Sequence, residues 1–146
     1  TGIVRPMSHA AYIATIEKAM DVARAAGSAH LVLTTGRRSE RYAQQRWPDL
    51  PAEAFIQIGD FFKKALQAAA GRGFTSVTLA VFFGKAVKMA QNIPHTHAAT
   101  SELTLSALAR WTLEVSGDPR LAQTIAGANT ARHAFDPLLA EAPVSM

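Results

Sequence analysis

Three short segments of strand character constrain this chain most: His30-Leu31-Val32-Leu33-Thr34-Thr35, Ala54-Phe55-Ile56-Gln57-Ile58, and Ser76 to Phe83. Each runs out at or next to a glycine (Gly36, Gly59, Gly84) and each is followed by residues at helical spacing. Parallel strands need a long crossover, usually a helix, and such crossovers are right-handed. The expected class is therefore α/β: an open, mostly parallel sheet with helices on both faces, Rossmann-like. The third segment shows no alternation of apolar and polar residues, so both of its faces are expected to be covered. Gly2-Ile3-Val4 reads as the start or end of a further strand.

Helix signals fill the intervals. Ser8 is a candidate N-cap for a helix whose apolar positions Tyr12, Ile13, Ile16, Met20 and Ala23 recur at helical spacing, with Gly27 closing it. Ser39 to Trp47 reads as a helix ended by Pro48 and Pro51. Phe61 to Ala70 and Gly84 to Met89 read likewise. Ser101 to Val115 is expected as a long helix, with shorter ones near Leu121 to Ala126 and Ala131 to Leu139.

Composition narrows the function classes. Of 146 residues, 49% are hydrophobic and 18% charged, enough apolar material for a buried core and too little charge for disorder. The formal net charge of +4 favours an anionic ligand. Its carriers are scattered as Arg37-Arg38, Lys63-Lys64 and Lys85 with Lys88, not run together as in a nucleic-acid arm. With no cysteine, disulfides, thiolate metal sites and cysteine nucleophiles are excluded, and a reducing, cytoplasmic location is expected. No apolar run approaches the length of a membrane span, and the start lacks a signal-peptide core. Thr1-Gly2-Ile3-Val4-Arg5-Pro6 opens without Met, as an excised domain would.

In sheets of this kind, ligands bind outside the carboxyl ends of the strands. Thr34-Thr35-Gly36-Arg37, Gly59-Asp60 and Phe83-Gly84-Lys85 are the three loops there, and glycine allows both close approach and positive φ. Asp60 follows Gly36 by about two dozen positions, where such folds hold a ribose diol with a carboxylate. It serves equally as the N-cap of the following helix, and the residues alone leave both roles open. The phosphate fingerprint GxGxxG is absent after Gly36, and Gly84-Lys85 lacks the rest of a P-loop. An adenosine ligand without a diphosphate remains compatible. His95-Thr96-His97 lacks acidic or thiol neighbours, so no metal is expected.

Several phrases, in order along the chain, resemble the cobalt-precorrin-5B C(1)-methyltransferases, the CbiD family. They are Thr1-Gly2-Ile3-Val4-Arg5-Pro6-Met7-Ser8, Val32-Leu33-Thr34-Thr35-Gly36, Gly59-Asp60-Phe61, Gly84-Lys85-Ala86-Val87-Lys88-Met89-Ala90, Thr96-His97 and Ala128-Asn129-Thr130. The resemblance implies that residues 1–146 are the C-terminal domain of a larger two-domain protein whose N-terminal domain is not in this sequence. It implies S-adenosylmethionine as cofactor and methylation of ring carbon 1 of a cobalt corrinoid, giving cobalt-precorrin-6A. On this reading Thr35, Gly36, Gly59, Asp60 and Gly84 bind the cofactor. Lys85, Lys88, Thr96 and His97 meet the corrinoid carboxylates, with the N-terminal domain as a partner and homo-oligomerisation left open.

Some positions depart from the family's pattern. Val81-Phe82 replaces a Gly-His pair, Arg37 replaces an Asn after Gly36, and His95 replaces an Asn before Thr96-His97. The alternative is a Rossmann-like domain binding another adenosine cofactor, such as NAD, in a different enzyme class.

Overall fold

Ser8 caps the first helix as its position suggests: its Oγ accepts from the Ala11 N–H at 3.2 Å. Helix α1 (His9–Ala25) buries Ile16, Met20 and Ala23, and Gly27 just beyond it takes a left-handed φ of 86°. A computed structural model describes residues 8–91 and 101–141, the side chains of 101–103 excepted. The chain forms two compact units that divide between Val81 and Phe82.

In the first unit, β1 (His30–Thr34) is the central strand of a three-stranded parallel sheet in the order β2-β1-β3. After β1 come α2 (Arg37–Arg46), a 3-10 turn (Ala52–Ala54) and β2 (Phe55–Gln57). Then follow α3 (Phe62–Ala70) and β3 (Ser76–Ala80). Val32 pairs with Phe55 on one side and Thr78 on the other; Thr34 pairs with Gln57 and Ala80. The path from β1 to β2 runs one way across the sheet, and the path from β2 to β3 runs back. Right-handed crossovers in opposite directions place α2 and α3 on opposite faces. The open, parallel α/β class expected from the sequence is the one observed, and the strand order reverses at β1.

Alternation along β1 splits the core between the two faces. Val32 packs with Ala43 of α2, Ala54 and Phe55, flanked by Trp47, Leu50 and Ala80. Leu31 and Leu33 point to the other face, where α1 packs on α3 and β2. Both are fully buried, as is Met20 of α1.

The expectation for the third strand needs correcting. It stops at Ala80 and does not reach Phe83, and Val77 and Leu79 are each 36% exposed. A strand at the edge of a three-stranded sheet has a neighbour on one side only, so its apolar residues are not enclosed as those of β1 are.

The second unit is helical among its described residues. Helices α4 (Phe83–Ala90), α5 (Ser101–Ser116), α6 (Pro119–Ala126) and α7 (Ala131–Glu141) enclose Val87, Leu105, Leu108, Ala109, Ile125 and Ala134. Asp118 caps α6, its Oδ1 accepting from the N–H groups of Arg120 at 2.8 Å and Leu121 at 3.3 Å, with Pro119 in the first turn. Among the described residues, no helix is long and apolar enough to cross a membrane. The expected further strand at Gly2-Ile3-Val4 lies outside the described residues.

Candidate functional site

The carboxyl end of β1 is a small network of hydroxyls. Ser39, in the first turn of α2, donates to the Gly36 carbonyl at 2.9 Å and accepts from the Gly36 N–H at 3.1 Å. Its Oγ also lies 3.3 Å from Thr35 Oγ1. These bonds let α2 begin at Arg37, two residues before the start that Ser39 suggested. Gly36 is extended (φ 171°), a conformation open to any residue, and among the described residues a Cβ there would meet no atom within 4 Å. Among the described residues, the space beside Gly36 is therefore open.

Thr34 stands apart from this network. It is 0% exposed on the face covered by α2, and its Oγ1 has no hydrogen-bond partner among the described residues. A buried hydroxyl without a partner keeps its desolvation cost. Thr34→Val, which removes the hydroxyl at nearly constant volume, is expected to raise stability by about 1 kcal/mol. A lower melting temperature in the variant would show that the hydroxyl is bonded.

At the end of β2, the Ile58 N–H donates to the Thr34 carbonyl at 2.7 Å, and the Phe61 N–H closes a tight turn on the Ile58 carbonyl at 3.0 Å. Gly59, second in this turn, has φ 56°. Of the three glycines expected at strand ends, this one uses the left-handed region. A Cβ at Gly59 would meet the Tyr12 hydroxyl at 3.3 Å. Gly59→Ala is expected to cost about 1–2 kcal/mol from the left-handed backbone alone, read as a lower melting temperature.

Asp60 follows in the same turn, half-buried. The N-cap of α3 is Phe61, so the cap position the sequence offered Asp60 belongs to its neighbour. Phe61 meets two rings from the first turn of α1: Tyr12 at 5.2 Å between centroids and His9 at 5.1 Å, the latter edge-on. Sequence reasoning missed this cluster. Its one local signal is the pair His9 and Tyr12, three apart and so on one helix face.

Gly84, Lys85 and Lys88 belong to the second unit. Gly84 is not in a strand-end loop as expected but is the second residue of α4, because β3 ends early and Phe83 opens the helix. A Cβ on Gly84 would meet the Ala131 Cβ at 3.9 Å, an ordinary contact, so no close approach requires glycine here. Lys85 and Lys88 share a face of α4 and are both half-buried, not fully solvated. Thr96 and His97 lie outside the described residues.

Residues 95–145 match the family described as CbiD, C-terminal domain. A protein of Nitratidesulfovibrio vulgaris named cobalt-precorrin-5B C(1)-methyltransferase is 50% identical over 135 residues, covering 92% of this chain. The chain is similar to the CbiD family over most of its length. Relatives of the same name from Salinispora tropica and Desulfotalea psychrophila are 40% and 42% identical, over 93% and 90% of the chain. The chain spans only about a third of those proteins: 35%, 36% and 36% of their lengths in the order given. No solved structure matches it significantly. Thr35, Gly36, Gly59 and Asp60 lie at the ends of neighbouring parallel strands, while Gly84, Lys85 and Lys88 lie on a helix of the second unit.

Proposed function

We propose that the protein carrying this chain methylates ring carbon 1 of cobalt-precorrin-5B in anaerobic cobalamin biosynthesis, using S-adenosylmethionine and giving cobalt-precorrin-6A. The observation that carries this reading is the 50% identity, over 92% of the chain, to a protein named for that C(1)-methylation. Residues 1–146 then act as the C-terminal domain of a two-domain enzyme of the cytoplasm, with the other domain as partner.

The donor-site chemistry is compatible. An ionised Asp60 accepts from both hydroxyls of a ribose, and the open backbone at Thr35-Gly36 admits a ligand without any phosphate cradle. The bound donor supplies an electrophilic methyl group. The residues of this chain then have to bind and align, since orientation of two reactants can supply much of the rate. Thr35, Gly36, Gly59 and Asp60 hold the nucleoside. Lys85 and Lys88, with Thr96 and His97, meet the carboxylates at the corrinoid rim, where lysine acts as a point charge. The net charge of +4 favours such a substrate.

Calorimetric titration of the chain with S-adenosylmethionine and with NAD tests the donor assignment. Binding of S-adenosylmethionine and none of NAD is expected. Binding of NAD alone would overturn the reading in favour of another enzyme class.

A further inference from the structure

Three rings from two distant parts of the sequence gather beside the turn after β2. His9 and Tyr12 come from the first turn of α1, and Phe61 follows Asp60 directly. The core reaches Ile58 and Phe62 on either side of this turn, yet His9 is exposed and Tyr12 and Phe61 are only partly covered. Aromatic surface left partly in water at a strand end is suited to a flat ligand, because stacking is favourable with any π-face. Gly59 helps to hold the arrangement: with no Cβ, it lets the Tyr12 hydroxyl pack against the turn backbone, where a side chain would meet it at 3.3 Å.

We propose that His9, Tyr12 and Phe61 form the wall against which the purine base of an adenosine ligand stacks. The inference rests on the donor reading above and gives that site its base-binding side. A nucleoside presents a diol and a flat base a short, fixed distance apart. Asp60 and Phe61, successive residues of one turn, offer a carboxylate for the first and a ring for the second. The carboxylate also disfavours the alternative occupant, since a corrinoid rim carries acidic side chains that it repels. Helix α1, which precedes the first strand, thereby becomes part of the binding site.

The test uses adenosine and cobyrinic acid as probes, with the chain and its Phe61→Leu, His9→Ala and Asp60→Asn variants. Dissociation constants are measured along with the NMR shifts of the adenine H2 and H8 protons, which move upfield when stacked on a ring. Adenosine is expected to bind with upfield-shifted base protons. Phe61→Leu is expected to weaken it about tenfold and reduce the shift, the scale of one lost base–aromatic stack. His9→Ala, at an exposed position, gives a second reading if Phe61→Leu does not fold. If Asp60→Asn weakens adenosine while neither ring variant alters affinity or shift, the wall is refuted and the donor reading stands. If the ring variants weaken cobyrinic acid and not adenosine, the rings belong to the substrate and the proposal is wrong. No adenosine binding by the unaltered chain would remove both the wall and the donor site.

Discussion

Leu33→Ala is expected to lower stability by about 2–5 kcal/mol, the usual range for truncating a fully buried leucine. Leu33 is 0% exposed and lies in the middle of the sheet, paired with Ile56 of β2 and Leu79 of β3. Strand neighbours on both sides and the helices on its face fix the surrounding backbone. The site therefore cannot collapse easily around the missing atoms, and most of the cavity cost remains. Chemical denaturation of the variant checks this. The same truncation at Leu79, 36% exposed on the edge strand, is expected to cost much less, because little of its surface leaves water on folding. Equal losses at the two positions would mean that β3 is enclosed in solution.

Asp60→Asn is expected to weaken S-adenosylmethionine binding by roughly ten- to a hundredfold, the scale of hydrogen bonds to a charged group. The substitution keeps the shape but replaces one acceptor oxygen with a donor, which cannot pair with a hydroxyl already turned to donate. The melting temperature is measured beside the affinity, because Asp60 is half-buried in a turn. Calorimetry and thermal melting on the same samples separate the two effects. Unchanged affinity with a lower melting temperature would assign Asp60 a purely structural role.

Local patterns revealed much of this fold, and for local reasons. Ser8, Gly27 and the apolar spacing of α1 are short-range signals, and each does in the structure what such residues do in any helix. The strands β1 and β2 show the same, with apolar β-branched and aromatic residues running out at Gly36 and Gly59. The segment Leu79-Ala80-Val81-Phe82-Phe83 was not legible, because a short apolar run has the same periodicity whether it is a strand or the start of a helix. The structure ends β3 at Ala80 and starts α4 at Phe83, and this moved Gly84 out of the strand-end set. Likewise the exposure of Val77 and Leu79 depends on strand order, which composition does not encode.

At the candidate site, the glycine and carboxylate of β2's turn were visible because fold rules tie them to strand ends. The rings around them were not. Phe61 meets His9 and Tyr12 only because α1 packs back across the sheet beside α3, a contact between residues far apart in sequence. Ser39 was visible as a helix residue, but its bonds to both backbone groups of Gly36 depend on the geometry of the β1 end.

Methyl transfer by the whole protein that carries this chain is the decisive measurement. Cobalt-precorrin-5B is incubated with S-adenosylmethionine labelled in its methyl group, and the corrinoid is then isolated. Label at ring carbon 1 and stoichiometric S-adenosylhomocysteine are expected, with both lost in parallel as donor affinity falls in Asp60→Asn. A folded protein that binds the corrinoid yet transfers no label to it would not be a C(1)-methyltransferase.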